Sequence, residues 1–421
     1  MDTVIVLFNR DLRVHDHPAL VAACRRARAV IPLFVLDETI PAGNRRGFLL
    51  QCLADLRAGL RARGGDLIVR HGDVVTETMR LARRTGAEAV FASADVTALA
   101  RRRQDRLAGE AIACEFFPGV TVVPPGTLKP SGGGDHYRVF TPFWRAWTRH
   151  EHRRLLAPPR HVPTPPDLDA GRLPDPPAPG PMPGGEQAAR DRAHQWIRRS
   201  LAGYADGHDD LAGDRTSRLS PYLRFGCLSP LELTRLAAGG QEFVRQLCWR
   251  DFYHQVTYAF PRINRADYRP RGRRWREEED ALQAWRAGMT GLPIVDAGMR
   301  QLLAEGWMHN RARLIVASYL VRVLGIDWRA GARHFFEHLL DGDVANNCGN
   351  WQWVAGTGND TRPNRGFNPL RQAQRFDPEG KYVRRYVPEL VDVPAAQVHR
   401  PWRLTARPSG YPLPIIEPPP G

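Results

Sequence analysis

The 421-residue chain is 43% apolar and carries a net charge of +15 with a pI near 10.2, which suits two or three soluble domains and a polyanionic partner. Lys129 and Lys381 are the only lysines, so arginine carries nearly all of the positive charge, a bias that genome composition also produces. The six cysteines show no CxxC spacing, Met1 leads into Val4–Phe8 without a basic leader, and no apolar run approaches the ~18 residues of a membrane span. Reduced thiols, a cytoplasmic location and no membrane association are therefore expected.

In chain order, apolar β-branched runs alternate with amphipathic stretches: Val4–Phe8, Ala19–Ala27, Ala29–Leu36, Phe48–Arg63, Asp66–Arg70, Val75–Thr85 and Ala87–Ser93. This βαβα rhythm predicts a doubly wound parallel sheet over residues 1–130, Rossmann-like and covered by helices. No GxGxxG follows the first strand, where the motif is VLFNRDLR, so an ordinary dinucleotide site is not expected there. Residues 131–186, with Gly132–Gly134 and dense proline from Pro158 to Pro183, read as an extended connector crossing the surface. One ordered aromatic island, His136–Trp147, interrupts it. From 187 to 400 apolar residues recur three and four apart, as at Leu233 and Leu236 or Met299, Leu302 and Leu303, predicting an all-helical domain. Residues 401–421 form a proline-rich tail, expected to be disordered over Arg407–Gly421.

The segment Leu340–Gly358, LDGDVANNCGNWQWVAGTG, concentrates two carboxylates, several amides and two tryptophans. Alone, it also fits an Asp-Gly-Asp helix start with tryptophans packed inside. Its neighbours decide the matter. LQAW, TGLPIVDAGMRQL, GWMHNRARL, IDWR, LDGDVANN, GNWQW and FNP with YVPEL follow in order from Leu282 to Leu390. Upstream stand VLFNRDLRVHDHPAL (Val6–Leu20), TSRLSPYLRFG (Thr216–Gly226) and QLCWRDFY (Gln246–Tyr253). Over nearly its whole length the chain resembles the photolyase/cryptochrome family, and most of all the class I photolyases that repair cyclobutane pyrimidine dimers.

The resemblance implies an α/β antenna domain, a helical FAD-binding domain, and light-driven repair of UV-damaged DNA by a monomer. Tyr204, Thr216, Ser217, Arg218, Leu219, Ser220, Arg313, Asp341, Gly342, Asp343 and Asn347 match flavin-binding positions. Hydroxyls and helix-start amides in the Thr216–Ser220 run suit a diphosphate. Arg313 and Asp341 match an ion pair beside the flavin ring, and Asn347 matches the residue opposite its reactive nitrogen, where an amide suits a neutral or reduced flavin.

Trp351, Trp328 and Trp275 match an electron-relay chain. Trp249 and Trp353 match the walls of a pocket for a flipped-out lesion, and Asn310, Arg311 and Gln372 match its DNA and lesion contacts. Asn310 speaks for cyclobutane dimers, since (6-4) enzymes carry histidine there. Gln246 replaces a lesion-binding glutamate and Leu314 a common methionine. Glutamine at that position also occurs in (6-4) photolyases and animal cryptochromes, which keeps a (6-4) photolyase and a photoreceptor with little repair activity as alternatives. Thr97 and Ala98 replace the Asn-Glu pair that binds a folate antenna, so a deazaflavin is favoured over folate if a second chromophore is bound.

Overall fold

Strands β1 (Thr3–Leu7), β2 (Ala29–Leu36), β3 (Ile68–His71), β4 (Ala89–Ser93) and β5 (Ala113–Phe117) form one parallel sheet in the order β3-β2-β1-β4-β5. The computed structural model describes residues 1–37, 43–178, 182–359, 361 and 366–418. Central β1 pairs Val4 with Val30 on one side and Ala89 on the other, and its Val4, Ile5 and Val6 are fully buried. Such two-sided burial explains the unbroken apolar runs. Helices α1 (Pro18–Arg26), α2 (Asn44–Arg61), α3 (Val74–Thr85) and α4 (Ala98–Ala108) alternate with the strands. Asp73 starts α3 by accepting the Thr76 N–H, and Gly86, at φ +64°, ends it.

The connector departs from the expected surface crossing. Its stretch 151–178 has no helix, yet the Val69 N–H of edge strand β3 donates to Ala170 O and the Val30 N–H donates to Pro163 O, both at 2.8 Å. Val162 is fully buried. The prolines lack N–H groups, but this segment supplies carbonyls that occupy an exposed sheet edge. Residues 179–181 of the predicted connector lie outside the described ones. The aromatic island forms α5 (Phe140–Arg149), and α6 (Glu186–Ser200), α7 (Tyr204–Gly207), α8 (Ser220–Phe225), α9 (Pro230–Leu236) and α10 (Gln241–Ala259) follow.

Two compact units emerge: Met1–Ala202 with Ser217–Pro261, and Gly203–Thr216 with Arg262–Gly421. The second holds α7 and α11 (Glu279–Ala287), α12 (Pro293–Glu305), α13 (Asn310–Ser318), α14 (Trp328–His338), α15 (Val344–Ala355), α16 (Pro369–Phe376) and α17 (Lys381–Tyr386). Helix α13 runs into a π-helical turn, Tyr319–Val323.

The tail corrects the expectation of disorder. Tyr411 Oη donates to the buried Asp296 carboxylate at 2.5 Å, and the Ile415 N–H donates to Thr290 O at 3.0 Å. A side chain at Gly291 would meet the Leu413 carbonyl at 2.4 Å, so glycine permits this close approach. Residues 419–421 of the tail lie outside the described ones. Among the described residues no helix is long and apolar enough to cross a membrane.

Candidate functional site

Asp343 is the N-cap of α15, its Oδ1 accepting the Asn346 N–H at 2.8 Å, so the segment does begin a helix as its pattern allows. That cap fixes a helix carrying Asn347, Trp351 and Trp353. Asn347 donates from Nδ2 to Ala332 O at 2.8 Å, which leaves Oδ1 as the acceptor this side chain offers. Trp351 is buried against Phe335 at 5.0 Å and Trp285 at 6.1 Å between ring centroids. Trp353 is half-buried, 6.0 Å from the Phe367 ring.

Preceding α15, Asp341 receives a bidentate fork from Arg313 at 2.8 and 3.2 Å, while Arg313 Nε donates to Met308 O. Such a planar fork locks both side chains in one orientation. Gly342, between the two aspartates, donates its N–H to Leu339 O at 3.2 Å.

At the start of α13, His309 accepts the Arg311 N–H on Nδ1, whereas its buried Nε2 has no hydrogen-bond partner among the described residues. Burial pushes the His309 pKa down to about 4, keeping the ring neutral. Asn310 is exposed on the first helical turn. Arg311 is held by both oxygens of Asp209, at 3.1 and 2.5 Å, reaches Gln372 at 3.5 Å and lies 4.4 Å over the Phe376 ring. Its expected DNA-facing charge is thus already paired. Asp209 was not singled out in the sequence; its only signal was the acidic GYADGHDD loop, a hundred residues upstream of its partner.

Within the same unit Tyr204 is half-buried beside the His208 ring, 5.2 Å away, and Thr216 donates its hydroxyl to Asp214 at 3.1 Å. Within the first unit, Ser217 O accepts Arg192 Nε at 2.8 Å, and Ser217 Oγ accepts the Leu219 N–H at 3.3 Å. Arg218 adopts φ +52°, an unfavourable left-handed conformation for a bulky residue and a mark of local strain. Leu219, buried, is the N-cap of α8 and makes no side-chain cap; exposed Ser220 opens the helix. The run is therefore not simply a hydroxyl cap, and α8 has only six residues.

Also in the first unit, half-buried Trp249 stacks on Phe140 with centroids 3.7 Å apart and planes at 4°. The aromatic island is ordered by this stack. Gln246 is exposed on α10, with one long hydrogen bond of 3.5 Å to Glu242 O.

Among the three predicted relay tryptophans, Trp351 and Trp328 are buried and Trp275 is half-buried. Trp328 Nε1 donates to Asp267 at 2.9 Å, and Arg273 lies 5.7 Å over Trp275. Among the described residues none of the three is in ring contact with another. Trp285, the tryptophan of LQAW, is the indole touching Trp351.

Within the second unit the donors fit a flavin: Asn347 offers an amide acceptor, and Asp341 and Asp343 are buried carboxylates. A family model described as DNA photolyase matches residues 4–166, and one described as the FAD binding domain of DNA photolyase matches residues 243–418. The deoxyribodipyrimidine photo-lyase of Streptomyces griseus is 49% identical, over 99% of this chain and 97% of its own length. Two solved structures are also similar. A bacterial class III photolyase from Agrobacterium tumefaciens has a TM-score of 0.92 and 34% identity, over 99% of this chain and 95% of its own. A Synechocystis cryptochrome has a TM-score of 0.92 and 30% identity, over 99% and 96%. The chain belongs to the DNA photolyase family.

Proposed function

We infer that this protein is a deoxyribodipyrimidine photo-lyase that repairs cyclobutane pyrimidine dimers in UV-damaged DNA. The observation that carries the reading is Asn347, whose Nδ2 is committed to Ala332 O, so that the side chain presents an acceptor suited to a protonated ring nitrogen of reduced flavin. When bound, photoexcited reduced FAD supplies the electron that splits the dimer. Tyr204, Thr216, Ser217, Arg218, Leu219, Ser220, Arg313, Asp341, Gly342, Asp343 and Asn347 are the residues that would hold it.

Trp249 and Trp353 supply flat surfaces for an extruded lesion, and Asn310, Arg311, Gln372 and Gln246 supply its polar contacts. Asp209 takes the Nε and Nη2 of Arg311, so its Nη1 is the nitrogen left to reach a phosphate without exchanging that pair. Trp351, Trp328 and Trp275 relay replacement electrons; the Asp267 carboxylate on Trp328 Nε1 stabilises positive charge on that indole. The proposed domains are an antenna domain over 1–130, a connector over 131–186, a flavin- and lesion-binding helical domain over 187–400, and a tail over 401–421. The monomer acts in the cytoplasm. The Thr97 hydroxyl is spent on capping α4, which supports a deazaflavin rather than a folate as any second chromophore.

A photoreceptor reading is favoured by one feature, the exposed Gln246 in place of a carboxylate. Light-dependent repair by the photoreduced protein, on one oligonucleotide with a thymine cyclobutane dimer and one with a (6-4) product, distinguishes the two. Dimer-only repair is expected, with no reaction in the dark. Repair of neither lesion by protein that binds and photoreduces FAD would move it to the photoreceptors, and repair of the (6-4) product alone to the (6-4) photolyases.

A further inference from the structure

The last turn of α14 reads HFFEH, with two imidazoles at i and i+4 and a carboxylate at i+3. These positions share one helix face, which is the spacing used by helical metal motifs. The His334 and His338 rings lie 4.5 Å apart between centroids, and one ligand atom from each of His334, Glu337 and His338 lies within 4.8 Å of the others. We propose that His334, Glu337 and His338 form a binding site for a divalent first-row transition-metal ion of the zinc type, apart from the flavin and lesion residues.

A second observation points the same way. His334 is only 6% exposed, yet its Nε2 has no hydrogen-bond partner among the described residues. A buried ring nitrogen without a partner is uncommon and calls for an explanation such as an ion. Burial, then the neighbouring His338 and Arg286, pushes the His334 pKa down to about 3, so the ring is in the neutral form that ligates metals. Its ring packs edge-on to Trp285 at 5.6 Å, which fixes its orientation.

The local field is mixed. The negative end of the α14 dipole and the Glu337 carboxylate favour a cation, whereas the Arg286 guanidinium opposes one; Arg286 is partly compensated by Glu279, 3.5 Å away. Two nitrogens and one carboxylate oxygen suit zinc and disfavour magnesium or calcium, which prefer all-oxygen shells. Bonds of about 2.0–2.1 Å in a tetrahedron put ligand atoms roughly 3.3 Å apart, so the set must contract on binding. Exposed Glu337 and half-buried His338 have the freedom to close on the fixed His334, and the exposed side leaves a fourth position for water.

The test uses the full flavin-loaded chain, stripped with chelator and titrated calorimetrically with Zn2+ alone. One saturable site is expected, weakened at least tenfold in His338→Ala and several-fold in Glu337→Gln. Glu337 is exposed and its variant leaves the His334 contacts intact, whereas His338→Ala removes the ring 4.5 Å from His334 but keeps its contact with Trp285. With Cu2+ as a paramagnetic probe, nitrogen couplings from two imidazoles should fall to one in His338→Ala. Absence of saturable Zn2+ uptake, or unchanged affinity in both variants, would overturn the site and leave HFFEH as a packed helix end.

Discussion

Two buried polar networks invite comparison, one in each unit. In the first, Arg13 is 1% exposed and donates to His15 O, Gly226 O, Asp16 O and Gly119 O at 2.9–3.1 Å. Asp16 accepts from Arg153 and Ser229, Glu186 takes the N–H groups of Val14 and His15, and His17 pairs with Asp11 at 3.0 Å. Its polar atoms answer one another, with the His17–Asp11 ion pair standing in for the hydrogen bond that neither His17 Nε2 nor Asp11 Oδ2 makes among the described residues. The second, around Arg313 and Asp341, has groups to spare: among the described residues His309 Nε2 is buried without a partner, and the Asn347 side chain makes its hydrogen bond through Nδ2 alone. A closed network acts as scaffold, whereas one with unanswered groups is shaped for something else to complete it.

The largest effect should come from breaking the closed network. Arg13→Ala strands four backbone carbonyls, those of His15, Gly226, Asp16 and Gly119, at about 3–5 kcal/mol, with unchanged flavin content in the molecules that still fold. Asp341→Asn should cost less, about 2–3 kcal/mol, because the Arg313 side chain is 25% exposed and keeps contact with water. It should nevertheless lose most bound flavin. Denaturant unfolding and flavin absorbance of the purified variants read both quantities; equal flavin loss in the two would erase the distinction between scaffold and site.

The units also differ in pH response. His309 titrates near 4 against an ordinary 6.5, so the unfolded chain takes the proton first; its contribution is complete above about pH 6.5 and is lost as the pH falls toward 4. Asp251 runs the other way. Burial raises it from 3.8 to about 6, above any lowering by Arg250 or by the N–H groups of Trp147, Val122 and Val123, so the native state binds the proton first and gains stability as the pH falls from 6 toward 4. Each displacement corresponds to about 3 kcal/mol. Asp251→Asn should therefore steepen the acid-side loss of stability below pH 6, as measured by thermal unfolding at pH 4.5 and 7. An unchanged slope would mean that Asp251 is ionised across this range.

What the sequence revealed follows the same division. Strands β1, β2 and β4 announced themselves because both faces are buried, but β5 is half-exposed at the sheet edge and α4 buries only Leu107, so neither has a continuous apolar run or a clear stripe. Proline density led to a surface crossing where part of the segment instead lies along the sheet edge, and it misled at the tail, where one hydroxyl on a buried carboxylate outweighs composition. The pairing of Arg313 with Asp341 was read through family resemblance. Asp209 beneath Arg311 and Trp285 beside Trp351 were missed because their partners are distant in sequence, and periodicity carries no such information.

Packing in the second unit gives a smaller effect. Alanine is ordinarily a better helix former than glycine, yet a Cβ at Gly331 in α14 would lie 2.2 Å from Trp351 Cη2 and 2.6 Å from Leu320 Cδ2. Gly331→Ala should cost about 2 kcal/mol through overpacking. Trp351→Phe removes the obstructing ring edge, so the double variant should recover part of that loss in a double-mutant cycle. It should also photoreduce far more slowly under blue light than Gly331→Ala alone. Additive costs would place the strain elsewhere.

The smallest effect concerns the tail. Asp296 is fully buried and accepts from Thr290, Gly291 and Tyr411, so its carboxylate keeps two of three anchors when the tyrosine hydroxyl is removed. Tyr411→Phe should cost about 1.5 kcal/mol, the worth of one hydrogen bond to a charged group. The loss should be local. Residues beyond Arg403 should become protease-sensitive, while the Arg313–Asp341 pair and flavin content are unchanged, because α12 retains its own Thr290 and Gly291 cap on Asp296. If flavin content fell with tail release, the tail would belong to the open network rather than to the scaffold.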